Sequence, residues 1–234
     1  MLLVASMALA LRQLAAEQAR GRSVREVLRA TLAMEVDVGS GTQNAQTIAA
    51  LLAAIEIKDE DTTRHNLRVA ELAVAIGREM RLAGAILRVL ARSGLLHDVG
   101  KVAIPDAVLG KPGPLNDEEW GLVRRHPGIG VEILGRAAKL RREAEIVHAH
   151  HERMDGGGYP RGLHGVQIPL EARIIAVADT YDVLVTDRPY RKAYPLAEAV
   201  RILRKESGTH LYRPAVQALL RLLARNTALS RKAS

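Results

Sequence analysis

The 234-residue chain is 48% hydrophobic, enough to build one compact domain with an extension. Cysteine is absent, which excludes disulfides and thiolate metal sites; phenylalanine is absent too, and aromatics make up only 3%, too few for a base-stacking single-strand binder. The net charge of +8 is spread along the chain instead of gathered in one arm, so a solvated basic surface, then a small anionic substrate, is expected ahead of a nucleic-acid polymer.

Residues 1–11 are apolar apart from Ser6, but no basic segment precedes them. They also fall short of the roughly 20 apolar residues that span a bilayer. A helix that packs or pairs is expected over residues 2–20, and a cytoplasmic protein with no membrane span. Gly21 stops that helix, and Ser23 with Glu26 gives a capping-box signature for a second one, to about residue 36. The Val-Gly-Ser-Gly-Thr run at 38–42 is the clearest linker. It divides a helical extension, 1–43 (a cap, a dimerisation pair or a regulatory remnant), from a domain over 44–234.

Helical signals resume from residue 44 through 57, and after Lys58-Asp59-Glu60-Asp61 a helix carries Leu67, Ala70, Leu72, Val74 and Ile76 on its apolar side, with His65 near its start. Residues 82–96 form a helix that delivers His97 and Asp98. Asn116 ahead of Asp117, Glu118 and Glu119 is a helix cap with an acidic first turn. His126-Pro127 breaks that helix and opens the next, and residues 141–151 form another. A glycine- and proline-rich loop over 152–169 holds Asp155-Gly156-Gly157-Gly158-Tyr159-Pro160. Residues 170–186 are apolar and helical but for Asp179 and Asp182, and two last helices open near Pro195 and Pro214. Neither a strand pattern nor a solenoid-length repeat is present, so the fold class is all-α.

The chemistry centres on His97-Asp98, with Lys101 one turn beyond His97. His65, His126, His150-His151 and Asp179 recur on otherwise apolar helices, which suggests an inward-facing metal cluster in a helical bundle. With no thiolate, its metal would be manganese, iron, zinc, nickel or magnesium. Adjacent helical residues diverge by about 100°, so His150 and His151 share a site only if it is wide, such as a metal pair; alone they would read as exposed histidines near a helix end. Asp179 follows Ile174-Ile175-Ala176-Val177-Ala178, where an unpaired carboxylate would be costly, and a metal or a cationic partner is the simplest remedy. Arg188-Pro189-Tyr190-Arg191-Lys192 is a basic element suited to phosphate or, more plainly, a helix-terminal patch.

Taken together, His97-Asp98-Val99-Gly100-Lys101, His126-Pro127, His150-His151-Glu152-Arg153-Met154-Asp155-Gly156-Gly157-Gly158-Tyr159-Pro160, Ala178-Asp179-Thr180-Tyr181-Asp182 and Asp187-Arg188-Pro189-Tyr190-Arg191-Lys192-Ala193 resemble the HD-GYP family of bacterial phosphodiesterases. The resemblance covers roughly residue 55 to the last helix. It implies an HD-superfamily helical bundle with a metal centre that hydrolyses cyclic di-GMP to linear pGpG and GMP. The implied metal ligands are His65, His97, Asp98, His126, His150, His151 and Asp179, with Asp98 bridging two ions and Lys101 beside the scissile phosphate. Two cations roughly 3.5–4 Å apart would hold a bridging hydroxide and orient in-line attack. Tyr159, Asp182, Arg188 and Arg191 match positions that hold the dinucleotide. Asp61, one turn before His65, resembles the carboxylate of trinuclear members, which makes two or three divalent ions, iron or manganese. Arg64 stands where many members have glycine, and bears on access. His148, His164 and His210 match no ligand position. Implied partners are cyclic di-GMP, diguanylate cyclase (GGDEF) domains and a second copy paired through the N-terminal helices. Two other readings stay open: a receptor that binds the nucleotide without efficient turnover, and a phosphohydrolase for a different nucleotide.

Overall fold

The computed structural model describes residues 41–187 and 191–232. They form α1 (Gly41–Lys58), α2 (Glu60–Glu79), α3 (Gly84–Leu96), α4 (Asp106–Leu109), α5 (Asp117–Val123), α6 (His126–Gly135), α7 (Arg141–Ala149), α8 (Leu170–Val185), α9 (Leu196–Glu206) and α10 (Arg213–Lys232), with short 3-10 turns between some of them. No strand occurs among the described residues, only two isolated bridges, as the helical periodicity predicts. Gly41 and Thr42, read from the sequence as linker, open α1 instead. The expected N-terminal helices and the rest of that linker lie outside the described residues, as does Arg188.

Local chemistry sets several boundaries. The Asp59 side chain accepts hydrogen bonds from the Asp61 and Thr62 amides at 3.0 and 3.2 Å, satisfying donors that the first turn of α2 cannot pair. Asn116 and Glu119 exchange side chain and amide reciprocally, at 2.8 Å each way, at the start of α5. Pro169 and Pro195 sit at the N-caps of α8 and α9, where a missing amide proton costs nothing.

Helix α8 is the axis of the bundle: Ile174, Ile175, Val177 and Ala178 are fully buried, which is why its apolar run goes almost all the way round. Around it pack residues of α2, α3, α7, α9 and α10, including Val69, Leu90, Ile146, Leu203 and Leu219. A second core joins Ile48 and Leu52 of α1 to Leu67, Leu95, Leu96, Leu134 and Val147. Helices α2 and α3, the most intimately packed pair, bring His65 and His97 to one end of the bundle. Ion pairs tie the helices together: Arg92 to Glu143 at 2.6 Å, Arg142 to Glu171 at 2.8 Å, and Glu79 to both Arg221, at 2.7 Å, and Arg225. Among the described residues no helix is long and apolar enough to cross a membrane.

Candidate metal centre

The site is built almost entirely from helix ends. His97 ends α3, Asp98 begins the 3-10 turn after it, His126 opens α6, and His150-His151 follow the last turn of α7. His65 comes from the second turn of α2 and Asp179 from the middle of α8. The turn after Asp98 presses on α6 so closely that a Cβ on Gly100 would lie 1.9 Å from the His126 carbonyl oxygen, so only glycine allows Asp98 and His126 to meet.

Three of the histidines share one device. His97, His126 and His150 each donate Nδ1–H to the carbonyl three residues earlier, on Gly94, Val123 and Val147, at 2.7, 2.7 and 2.6 Å. A carbonyl only accepts, so the proton must be on Nδ1 and the Nε2 lone pair faces inward. His126 Nε2 lies 3.3 Å from Asp98 Oδ1, and His97 Nε2 lies 3.5 Å from Asp98 Oδ2 without a hydrogen-bond partner. His126 Nε2 and His150 Nε2 face each other at 3.3 Å. Two unprotonated nitrogens at that distance repel unless a cation lies between them. The donors form two groups, Asp98 with His126, His150 and His151, and Asp98 with His65 and His97. Asp98 belongs to both, the placement a bridging carboxylate requires. Asp179 joins the second group, its Oδ1 lying 3.1 Å from His65 Nε2. All-nitrogen-and-oxygen donors, an orphaned buried nitrogen and opposed lone pairs fit a pair of divalent metal ions.

Electrostatics agree. Burial pushes the pKa values of His97, His126 and His150 below the usual histidine value and that of His151 down to about 3, which keeps the rings neutral and able to ligate. Burial opposes ionisation of Asp98, but Lys101 and the surrounding histidines outweigh it and hold the carboxyl well below its usual range. Asp179 is likewise held low, its burial outweighed by the bond to His65. His65 differs: burial alone would lower it, yet Asp179 and Asp182 keep it above the ordinary value, so its Nε2 must give up a proton before the ring can ligate.

The surroundings depart from expectation in instructive ways. Asp182, expected at the dinucleotide, is 2% exposed and lies behind His65, its Oδ2 2.6 Å from His65 Nδ1. Arg68 holds the same carboxylate in a two-pronged bond, at 2.6 and 2.9 Å. Arg68, which the sequence reading missed, sits one turn after His65 as Asp182 sits one turn after Asp179, a matched register that was the available signal. Asp61 is not brought to the cluster: it lies in the first turn of α2, its side chain 82% exposed and 3.5 Å from Arg64. Arg191 turns away as well, donating to the Val183 and Lys192 carbonyls at 2.5 and 2.9 Å and so closing the end of α8. Lys101 lies beside Asp98, its Nζ 2.6 Å from Asp98 Oδ2, and is a quarter exposed.

The glycine-rich loop is a fixed wall. A Cβ on Gly158 would come within 2.4–2.6 Å of backbone atoms of Arg153, Glu152 and His151. The Tyr159 amide donates to the His151 carbonyl at 3.2 Å, and its ring stacks on the His151 ring at 4.8 Å between centroids. Glu152, buried and overlooked in the sequence, accepts from the Arg161 and Leu163 amides at 2.7 and 2.9 Å and ties off the loop. His148, His164 and His210 stand outside both donor groups; His210 pairs with Glu206.

Residues 49–216 match the HD domain family. The chain belongs to that family. Within it, the histidine pair leading into the Gly158-Tyr159-Pro160 loop marks an HD-GYP protein. Over 162 residues it is 44% identical to a cyclic di-GMP phosphodiesterase of Pseudomonas aeruginosa, covering 68% of this chain and 39% of that protein. Over 169 residues it is 37% identical to a 3'3'-cGAMP-specific phosphodiesterase of Vibrio cholerae, covering 72% of this chain and 37% of that one. The chain spans less than half the length of the curated relatives it matches, 39%, 47% and 46% for three of them. A crystal structure of a cyclic GMP-AMP-specific phosphodiesterase from Vibrio cholerae shares the fold, with a TM-score of 0.60 at 20% identity over 78% of this chain and 49% of that one.

Proposed function

We propose that this HD-GYP protein is a metal-dependent phosphodiesterase that opens cyclic di-GMP to linear pGpG, in the cytoplasm of a signalling bacterium. The observation that carries the reading is the pair of donor groups sharing Asp98. His126, His150 and His151 with Asp98 would hold one ion, and His65, His97 and Asp179 with Asp98 the other. Iron or manganese on such donors supplies water activation and neutralises phosphate charge. The chain's own residues do the rest. Lys101, fixed by its bond to Asp98 and partly open to the site, donates to the phosphate or to the oxygen that leaves as the phosphodiester opens. Tyr159, held against His151, gives one wall against which a base can lie. GGDEF domains and a second copy, through residues 1–43, are the partners of this reading.

Three cyclic di-GMP phosphodiesterases reach 41–44% identity, but two others stand at 39% and 34%, beside 37–38% for the 3'3'-cGAMP-specific proteins, so the identities overlap and the substrate is decided by assay. The test is a panel of cyclic di-GMP, 3'3'-cGAMP and cyclic di-AMP, each resolved by chromatography after incubation with metal-loaded protein. Fastest linearisation of cyclic di-GMP is expected. Preference for the mixed dinucleotide would move the substrate assignment, and tight binding without product would make the protein a receptor.

A further inference from the structure

The wall beyond Tyr159 carries side chains that the metal chemistry does not use. Arg124 caps the end of α5 in helical conformation and is exposed, with its guanidinium carbon 5.7 Å from the centroid of the Tyr159 ring. Among the described residues no carboxylate pairs with it, although Glu119 on the same helix is held by Lys111 at 2.6 Å. Its amide bonds to the Trp120 carbonyl, so Arg124 and Trp120 are one turn apart on one face of the helix. Trp120 is 46% exposed, an unusual place for an indole. The rim of the site thus holds an unneutralised guanidinium over the Tyr159 ring, which reaches the metal cluster through His151, with Trp120 one turn back on the same helix.

This arrangement suits a purine base better than a phosphate. Lys101 already supplies the cation at Asp98, where the reacting phosphate must come. A guanidinium lying over an aromatic ring presents its edge, with a fixed fork of donors. Guanine offers two acceptors to such a fork, O6 and N7, whereas adenine replaces one of them with an amino donor. An exposed tryptophan adds a stacking face that accepts either base. Resting on the phosphodiesterase reading above, we propose that Arg124 is a specificity residue that reads a guanine of the cyclic dinucleotide, and that Trp120 stacks against a base at the same rim.

Trp120 is the only tryptophan in the chain, so its fluorescence reports directly on this surface. The experiment titrates the metal-loaded full chain with non-hydrolysable phosphorothioate analogues of cyclic di-GMP and cyclic di-AMP, in wild type, Arg124→Ala and Arg124→Lys. Wild type is expected to be quenched by both and to favour the guanine analogue roughly 5- to 100-fold. Both variants should bind the two analogues within about 2-fold of each other, because lysine keeps the charge but not the fork. Circular dichroism of each variant checks that the exposed substitution leaves the helices intact. Guanine preference retained in Arg124→Lys, equal weakening of both analogues in Arg124→Ala, or no quenching in wild type would overturn the assignment. The parent reading is tested apart from this, with unmodified cyclic di-GMP: guanine-selective quenching without hydrolysis would leave the base-reading site standing and remove the phosphodiesterase.

Discussion

Replacing Asp182 with asparagine separates two roles for that residue. The family resemblance implies a contact to the dinucleotide, whereas its place in the fold is under His65, gripped by Arg68. Asparagine keeps the volume but turns one carboxylate oxygen into an amino donor. That donor must face either the His65 Nδ1–H or the Arg68 guanidinium, which now lie at 2.6–2.9 Å from the carboxylate oxygens. Hydrogen bonds to charged groups contribute about 1.5–3 kcal/mol each, and breaking a buried ion pair costs about 3–5 kcal/mol. The Arg68 side chain is 20% exposed and can turn to water, so the lower end, about 2–3 kcal/mol, is expected in urea unfolding. The larger consequence is at the metal. Partners that orient a ligating histidine typically carry 10- to 100-fold in metal affinity or activity. Metal affinity should be read by chelator competition with elemental analysis, alongside KM and kcat. The structure predicts weakened metal retention, with kcat falling in step. Unchanged metal affinity with a raised KM alone would refute the positioning role and restore the substrate contact.

Three further outcomes follow from the packing. Arg92→Met strands the carboxylate of Glu143, which is 1% exposed, and should cost about 3–5 kcal/mol in urea unfolding, largely recovered by adding Glu143→Leu; a loss under about 1 kcal/mol would contradict it. Gly158→Ala must displace the backbone of the loop, at about 1–3 kcal/mol, and unstack Tyr159 from His151, so kcat/KM should fall at least about 10-fold; unchanged kinetics would show that the wall is not needed. Hydrogen bonds from Arg225 and Arg221 lower the Glu79 pKa from 4.5 to about 2. A depressed carboxylate stabilises the folded state fully above its unfolded pKa, so the stability difference between wild type and Glu79→Gln should be constant above pH 4.5 and shrink as pH falls towards about 2. A difference independent of pH across that window would rule out the linkage.

What could be read from the chain alone was what is local along it. The cap at Asn116 and Glu119, the break at His126-Pro127 and the apolar run of α8 are short-range signals, and the helices fall where these place them. The histidines and Asp98 stood out because polar residues on apolar helices demand a reason, and the fold brings them together. Roles set by distant partners were hidden. Arg68 and Asp182 are 114 residues apart, so nothing nearby marked Asp182 as a support for His65. Asp61 has the right spacing from His65, but it sits at the exposed end of α2, beside Arg64, where only the packing of the fold shows that it faces solvent. Arg191 looked like a phosphate contact because it is basic, while its position after α8 offers it free carbonyls instead. Glu152 sits beside the histidine pair, yet only the folded loop reveals the amides it holds.

In the proposed function, the cluster around Asp98 binds the metals on which cyclic di-GMP hydrolysis depends. The most direct test is parallel metal quantitation and product chromatography on wild type and Asp98→Asn, prepared anaerobically and loaded in turn with iron and manganese. Bound metal and pGpG from wild type, with both reduced in the variant, is the predicted result. Wild type that holds its metals and leaves cyclic di-GMP intact, or a variant that loses metal yet still makes product, would contradict it.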